Sequence, residues 1–187
     1  MDDVERYNRV YLEILLRYKE IIEEHEVLYF SELPKLVKAD EEVKIAAEKI
    51  LGSFDGYNFE KDFDKAAEKA YEYVNNEIRT IILPLQVWLS PGEVIRCGAG
   101  DQFDKAVLLC SLFLALGCVN CKVLVVSFDS SRKIGVYYES KSYNYFGIDE
   151  CKKTFSSREE MLSYLKVGSD EVVDAYEFNS LIAKSLP

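Results

Sequence analysis

The chain has 187 residues, enough for one well-buried core and few for two. Its 23 basic and 33 acidic side chains leave a net charge of -10, spread along the chain, so phosphate backbones and anionic headgroups are repelled and neither nucleic acid nor membrane is an expected partner. The start, Met1-Asp2-Asp3-Val4-Glu5-Arg6, reads as no signal peptide, and an odd count of five cysteines points to reduced thiols and a cytoplasmic location.

Apolar residues first recur at helical spacing: Val4, Tyr7, Tyr11, Ile14, Leu15, Tyr18, Ile21 and Ile22, with charges on the other face. This predicts one long amphipathic helix. Ser31 followed by Pro34 suggests a short helical turn. Asp40 can cap a helix that carries Val43, Ala46, Ala47, Ile50 and Leu51 inward and stops at Gly52. After a loop at Gly56 and Asn58, a helix over about 61–79 buries Phe63, Ala66, Ala67, Ala70, Val74 and Ile78. Pro84 breaks the pattern. Ser90-Pro91-Gly92-Glu93 then supplies a capping serine, a proline at the first helical position and a reciprocal glutamate.

That short helix must end before the glycine turn Gly98 to Gly100. Asp101 caps the next helix, which runs towards Gly117 and is apolar nearly all round, hence central and buried. After Gly117 the period changes. The stretches 122–128, 133–139 and 142–148 are rich in Val, Ile, Tyr and Phe and separated by turn residues, which predicts an antiparallel meander. Ser156 or Ser157 caps a helix through Lys166, 172–178 adds a strand, and a short helix closes the chain. Helices first and a meander afterwards make the class α+β in one domain, with 1–60 as an N-terminal helical extension and 61–187 as the core.

Few residues offer chemistry. His25, the one histidine, sits between Glu24 and Glu26 and reads as a solvated side chain. Cys118-x-x-Cys121 lacks the second pair that a zinc site needs and follows a helix rather than opening one, so it reads as packing; no cofactor and no metal are expected. Gly98-Ala99-Gly100 fits neither phosphate-loop pattern, since Phe103 takes the third-glycine position and no strand is predicted ahead of it.

The same turn supports another reading. A sharp bend into a buried helix sets the first helical side chain at the positive end of the dipole, where enzymes place a nucleophilic cysteine. Trp88, Ser90, Pro91, Gly100-Asp101, Ala106, Leu109, Ala115-Leu116-Gly117, the strand from Lys122 and Ile148-Asp149 together resemble the transglutaminase-like superfamily of papain-type cysteine enzymes over roughly 66–150. The resemblance implies a helical bundle and a central helix packed on the β-meander. It also locates departures. Gln102 stands where the family has its cysteine, and Ile134 or Gly135 where it has its histidine; Asp149 matches the acidic partner. Gln102, Gly135 and Asp149 thus outline a vestigial site, since neither glutamine nor glycine can attack or shuttle a proton.

A displaced nucleophile is available in Cys97, five positions before Gln102, with His25 as the one imaginable base. Tyr137, Tyr138, Tyr143 and Tyr145 cluster on two strands, either as cross-strand packing or as an aromatic rim. The expectation is a catalytically inactive domain that holds a protein or peptide against Trp88, Tyr137 and Tyr145. The alternatives are a cysteine amidase or peptidase using Cys97, and an oligomerisation domain built on the N-terminal helix.

Overall fold

A computed structural model describes residues 3–26, 28–82, 84, 85, 87–139, 141–144, 151–169 and 171–187. Helices α1 (Asp3–Arg17) and α2 (Lys19–His25) replace the single helix expected. They meet at Tyr18, where φ is -102° and ψ 10°, yet the hydrogen bonds Tyr18 N to Ile14 O and Ile22 N to Tyr18 O carry the helical path across the junction. A 3-10 helix, Phe30–Leu36, holds the turn around Pro34 and has Tyr29, not Ser31, at its N-cap.

Capping residues set the ends of the helices that follow. The Asp40 carboxylate accepts the Val43 N–H at the head of α3 (Glu41–Leu51), and Asn58 does the same for Lys61 in α4 (Phe59–Glu77). Helix α4 gives up its last expected turn because Arg79–Thr80 forms β1, paired in parallel with β2 (Ala99–Gly100). A strand does therefore precede the glycine turn, contrary to expectation, although it is two residues long. Between them, α5 (Pro91–Cys97) opens with the Ser90–Glu93 capping box and closes on Gly98, which takes the left-handed conformation at φ 61°.

Helix α6 (Gln102–Ala115) is the centre of the molecule. Phe103 through Phe113 are all buried, because α3, α4 and α5 cover one side and the sheet the other. That sheet runs in the order β6-β5-β4-β3-β7-β8, with every pair antiparallel. Its strands are β3 (Lys122–Phe128), β4 (Arg132–Tyr138), β5 (Lys141–Asn144), β6 (Cys151–Thr154), β7 (Val172–Phe178) and β8 (Ala183–Ser185). The expected stretch 145–148 lies outside the described residues.

The alternation of side chains decides which face each strand residue serves. Val123, Val125, Ile134, Val136, Tyr138, Tyr143 and Phe178 face α6, where Phe113 meets Phe63, Tyr138 and Tyr143 edge to face. Leu124, Val126, Tyr137 and Ala175 face α7 (Arg158–Tyr164), which is capped by Ser157 and packs Met161 onto them. The chain does not close on a helix. Asn179 accepts the N–H groups of Leu181 and Ile182 through its side-chain oxygen, and this local turn folds the last residues back as β8 against β7. No helix among the described residues is long and apolar enough to cross a membrane.

Candidate functional site

The site begins with the double cap of α6. Asp101 Oδ1 accepts the Asp104 N–H at 2.8 Å, and Asp104 Oδ2 accepts the Asp101 N–H at 3.0 Å, so two orphan donors are satisfied reciprocally. Gly100 has no room for a side chain, since a Cβ there would lie 2.9 Å from the Asp104 Cβ. That close approach brings Asp104 inside: burial, and then the neighbouring Asp101 charge, push its carboxyl up to about 7.

Gln102 is the first residue of α6 and opens on a cleft of about 630 Å³. Trp88 and Leu85 form one wall, Ile134 and Arg132 of β4 another, and Lys19 and Glu23 of α2 a third. Trp88 is held from both ends. Its indole Nε1–H donates to the Glu26 carbonyl at 2.6 Å, and its ring meets Phe103 edge to face at 5.1 Å. Phe103 in turn stacks on Phe178. Beneath the cleft, the buried Lys105 donates Nζ–H to Thr80 Oγ1, which lines it, at 3.0 Å.

The sequence-derived set separates here. Gln102 and Trp88 share the cleft, but Gly135 does not: its neighbours Ile134 and Val136 face α6, so the Cα of Gly135 presents the α7 face. Of the two residues weighed for the histidine position, Ile134 is the one that shares the cleft with Gln102. Tyr137 also belongs to the α7 face. Its hydroxyl hydrogen-bonds Glu177, itself paired with Lys122 at 2.5 Å and Arg158 at 2.7 Å, so it forms no rim to the cleft. Tyr138 and Tyr143 are buried against α6. Asp149 and Tyr145 lie outside the described residues.

Cys97 is exposed at the end of α5 and is not among the cleft-lining residues. His25 is exposed at the end of α2, with Nδ1 2.7 Å from the Ile21 carbonyl. Cys110, Cys118 and Cys121 form a buried thiol group, with 3.6 Å between the first and last sulfurs. Hydrogen bonding to neighbouring thiols and burial push Cys118 and Cys121 far above the ordinary thiol range, which suits packing. No group of three or more His, Cys, Asp or Glu able to hold a metal occurs among the described residues.

Three solved structures of LapG from Legionella pneumophila share this architecture. The EGTA-treated form aligns with a TM-score of 0.52 at 15% identity, over 86% of this chain and 87% of that one. A further LapG structure gives 0.51 at 15% over 86% and 89%, and the calcium-bound form 0.50 at 17% over 82% and 84%. The fold is transglutaminase-like. No protein-family model and none of the curated proteins matches the chain.

The buried helix and the antiparallel sheet on which it packs are those that the sequence resemblance implied. The residues that sequence reasoning passed over are Arg132, Lys19, Glu23 and the Thr80–Lys105 pair. Strand alternation alone would have selected Ile134 over Gly135. Nothing local marked Thr80, which reaches the cleft through the two-residue pairing of β1 with β2.

Proposed function

We propose that this chain is a binding domain of transglutaminase-like fold, which holds an extended peptide in the cleft at the head of α6 without cleaving it. One observation carries the reading: Gln102, which the resemblance sets at the nucleophile position, shares the cleft with Ile134, and the described lining of the cleft contains neither cysteine nor histidine. The transglutaminase-like family that the sequence resembles has a cysteine and a histidine at those two positions, and this chain departs from that pattern there. A carboxamide does not attack a peptide bond, but it donates and accepts at once, which matches a peptide backbone. Trp88, Leu85 and Ile134 offer apolar walls for side chains, and Arg132 a charge for an acidic residue or a carboxylate.

Trp88 is the one tryptophan in the chain and lines the cleft, so its emission reports occupancy directly. A panel of unstructured peptides of mixed sequence is titrated against the protein while fluorescence and mass spectra are recorded. A saturable emission change with intact peptide supports the reading. Gln102→Lys should weaken that change by about tenfold, the worth of the lost hydrogen bonds. Time-dependent fragments in the mass spectrum, abolished by no contaminant-protease inhibitor, would defeat the claim of a non-catalytic site. An emission change indifferent to Gln102→Lys would put the ligand elsewhere.

A further inference from the structure

Helices α1 and α2 turn their apolar stripe away from the rest of the chain. At 100° per residue, Val10, Tyr11, Ile14, Leu15, Tyr18 and Ile21 fall on one side of the helical path, and each is 40–62% exposed. The opposite edge carries most of the charges, with Lys19 and Glu23 lining the cleft, although Leu12 and Leu16 on that side of α1 are exposed as well, and α2 buries none of its residues. A solitary chain gains nothing from this orientation, because the surface that water disfavours is the one left in water.

The stripe is patterned for another helix. Val4, Tyr7, Tyr11, Ile14, Tyr18 and Ile21 alternate steps of three and four along the sequence, the heptad repeat of helices packed side by side. The repeat is symmetrical about its midpoint, so an antiparallel second copy presents the same steps in reverse and brings Tyr11 of one opposite Ile14 of the other. The six exposed residues leave roughly 600 Å² per chain, so a two-fold pairing removes roughly 1,200 Å² in total, the lower end of what specific dimers bury. A bilayer is the poorer occupant: acidic residues outnumber basic ones in 3–25, whereas helices that lie on anionic membranes are basic.

We propose that α1 and α2 are dimerisation helices, through which two copies of this chain pair their apolar stripes antiparallel. The pairing has a consequence for the cleft. Lys19 and Glu23 belong to the same helices, and the Glu26 carbonyl just beyond them holds Trp88, so dimerisation fixes one wall of each cleft.

Sedimentation equilibrium of the full chain over a wide concentration range tests this. The expected limit at high concentration is twice the chain mass of 21.5 kDa. Ile14→Glu sets an unpaired carboxylate from each copy into the seam and should weaken the dimer by at least about 100-fold. Leu12→Glu, on the same helix but off the stripe, should leave it unchanged; far-UV circular dichroism confirms that both variants keep their helices. A monomer at every concentration overturns the proposal. So does a dimer that withstands Ile14→Glu, or one that the two variants weaken equally. Flotation of the chain with phosphatidylcholine–phosphatidylserine vesicles, lost in Ile14→Glu, overturns it in favour of a membrane.

Discussion

At Gln102, little separates the binding cleft proposed above from a reactive one. Its backbone sits in the first turn of α6, where the positive end of the helix dipole favours an anion. A thiol placed there should ionise more readily than one at the exposed end of α5. Gln102→Cys is therefore expected to react with iodoacetamide about tenfold faster at neutral pH than Cys97 does, without gaining peptide hydrolysis, because Ile134 supplies no imidazole. Equal labelling rates at the two sites would mean that the helix head exerts no such field. The position of Gln102 was legible in the sequence because Asp101 and Asp104 announce the helix start. Its strand partner was ambiguous by one residue, and one residue in a strand is the difference between two faces.

Asp104 gives a second test at this scale. Burial and the adjacent Asp101 raise its carboxyl from an ordinary 3.8 to about 7, so between those values the folded state binds a proton that the unfolded state has released. Stability is then full below about pH 4 and declines as pH rises through about 7. Asp104→Asn is permanently neutral and can still accept the Asp101 N–H while donating to the Asp101 carboxylate. The variant should lose this decline and exceed the parent by about 1 kcal/mol at pH 8 in urea unfolding. A variant less stable than the parent at pH 8 would show that the buried carboxyl is ionised and needed as such.

Among the elements, helix ends were the easiest feature to read. Asp40, Ser90 and Asp101 each cap the helix that they were expected to cap, and of the two candidates Ser156 and Ser157 it is Ser157 that caps α7, because the capping bond is local and needs no tertiary information. The terminal hairpin was missed for a related reason. Asn179 makes its turn through a side-chain bond that resembles many loop asparagines in sequence, and β8 is recognisable only once β7 offers an edge. On the α7 face, one residue joins four elements: Glu177 of β7 takes Lys122 from β3, Tyr137 from β4 and Arg158 from α7.

That junction has a definite pH signature. Burial opposes the charge on Glu177, but the hydrogen bonds from Lys122, Tyr137 and Arg158 outweigh it and hold the carboxyl at about 2, against an ordinary 4.5. The contribution is present above about pH 4.5 and is lost as pH falls through about 2. Glu177→Gln should cost about 2 kcal/mol near neutral pH, less than a fully buried pair would, because Lys122 and Arg158 retain partial access to water. The gap between variant and parent should narrow between pH 4.5 and 2 in chemical denaturation. A gap constant across that window would assign the loss to packing instead of charge.

Over the whole molecule, the core and the N-terminal helices are held by different means. The body is closed by α3 to α6 packed on the sheet, a continuous cluster from Leu33 to Phe178. Helices α1 and α2 meet that body at the cleft, which Lys19 and Glu23 line, and through the hydrogen bonds at Glu26; periodicity showed which of their faces was apolar but not that this face stands in water. A chain beginning at Leu28 is therefore expected to fold with unchanged cooperativity and a midpoint within a few degrees of the parent. Its cleft, however, loses a wall. Trp88 is left without the Glu26 carbonyl as acceptor and with one side open to water, so its emission should shift to the red and become readily quenched by iodide, while peptide affinity falls. Loss of cooperative unfolding on truncation would make the helices part of the core. An unshifted Trp88 emission would mean that they form no wall of the cleft in solution.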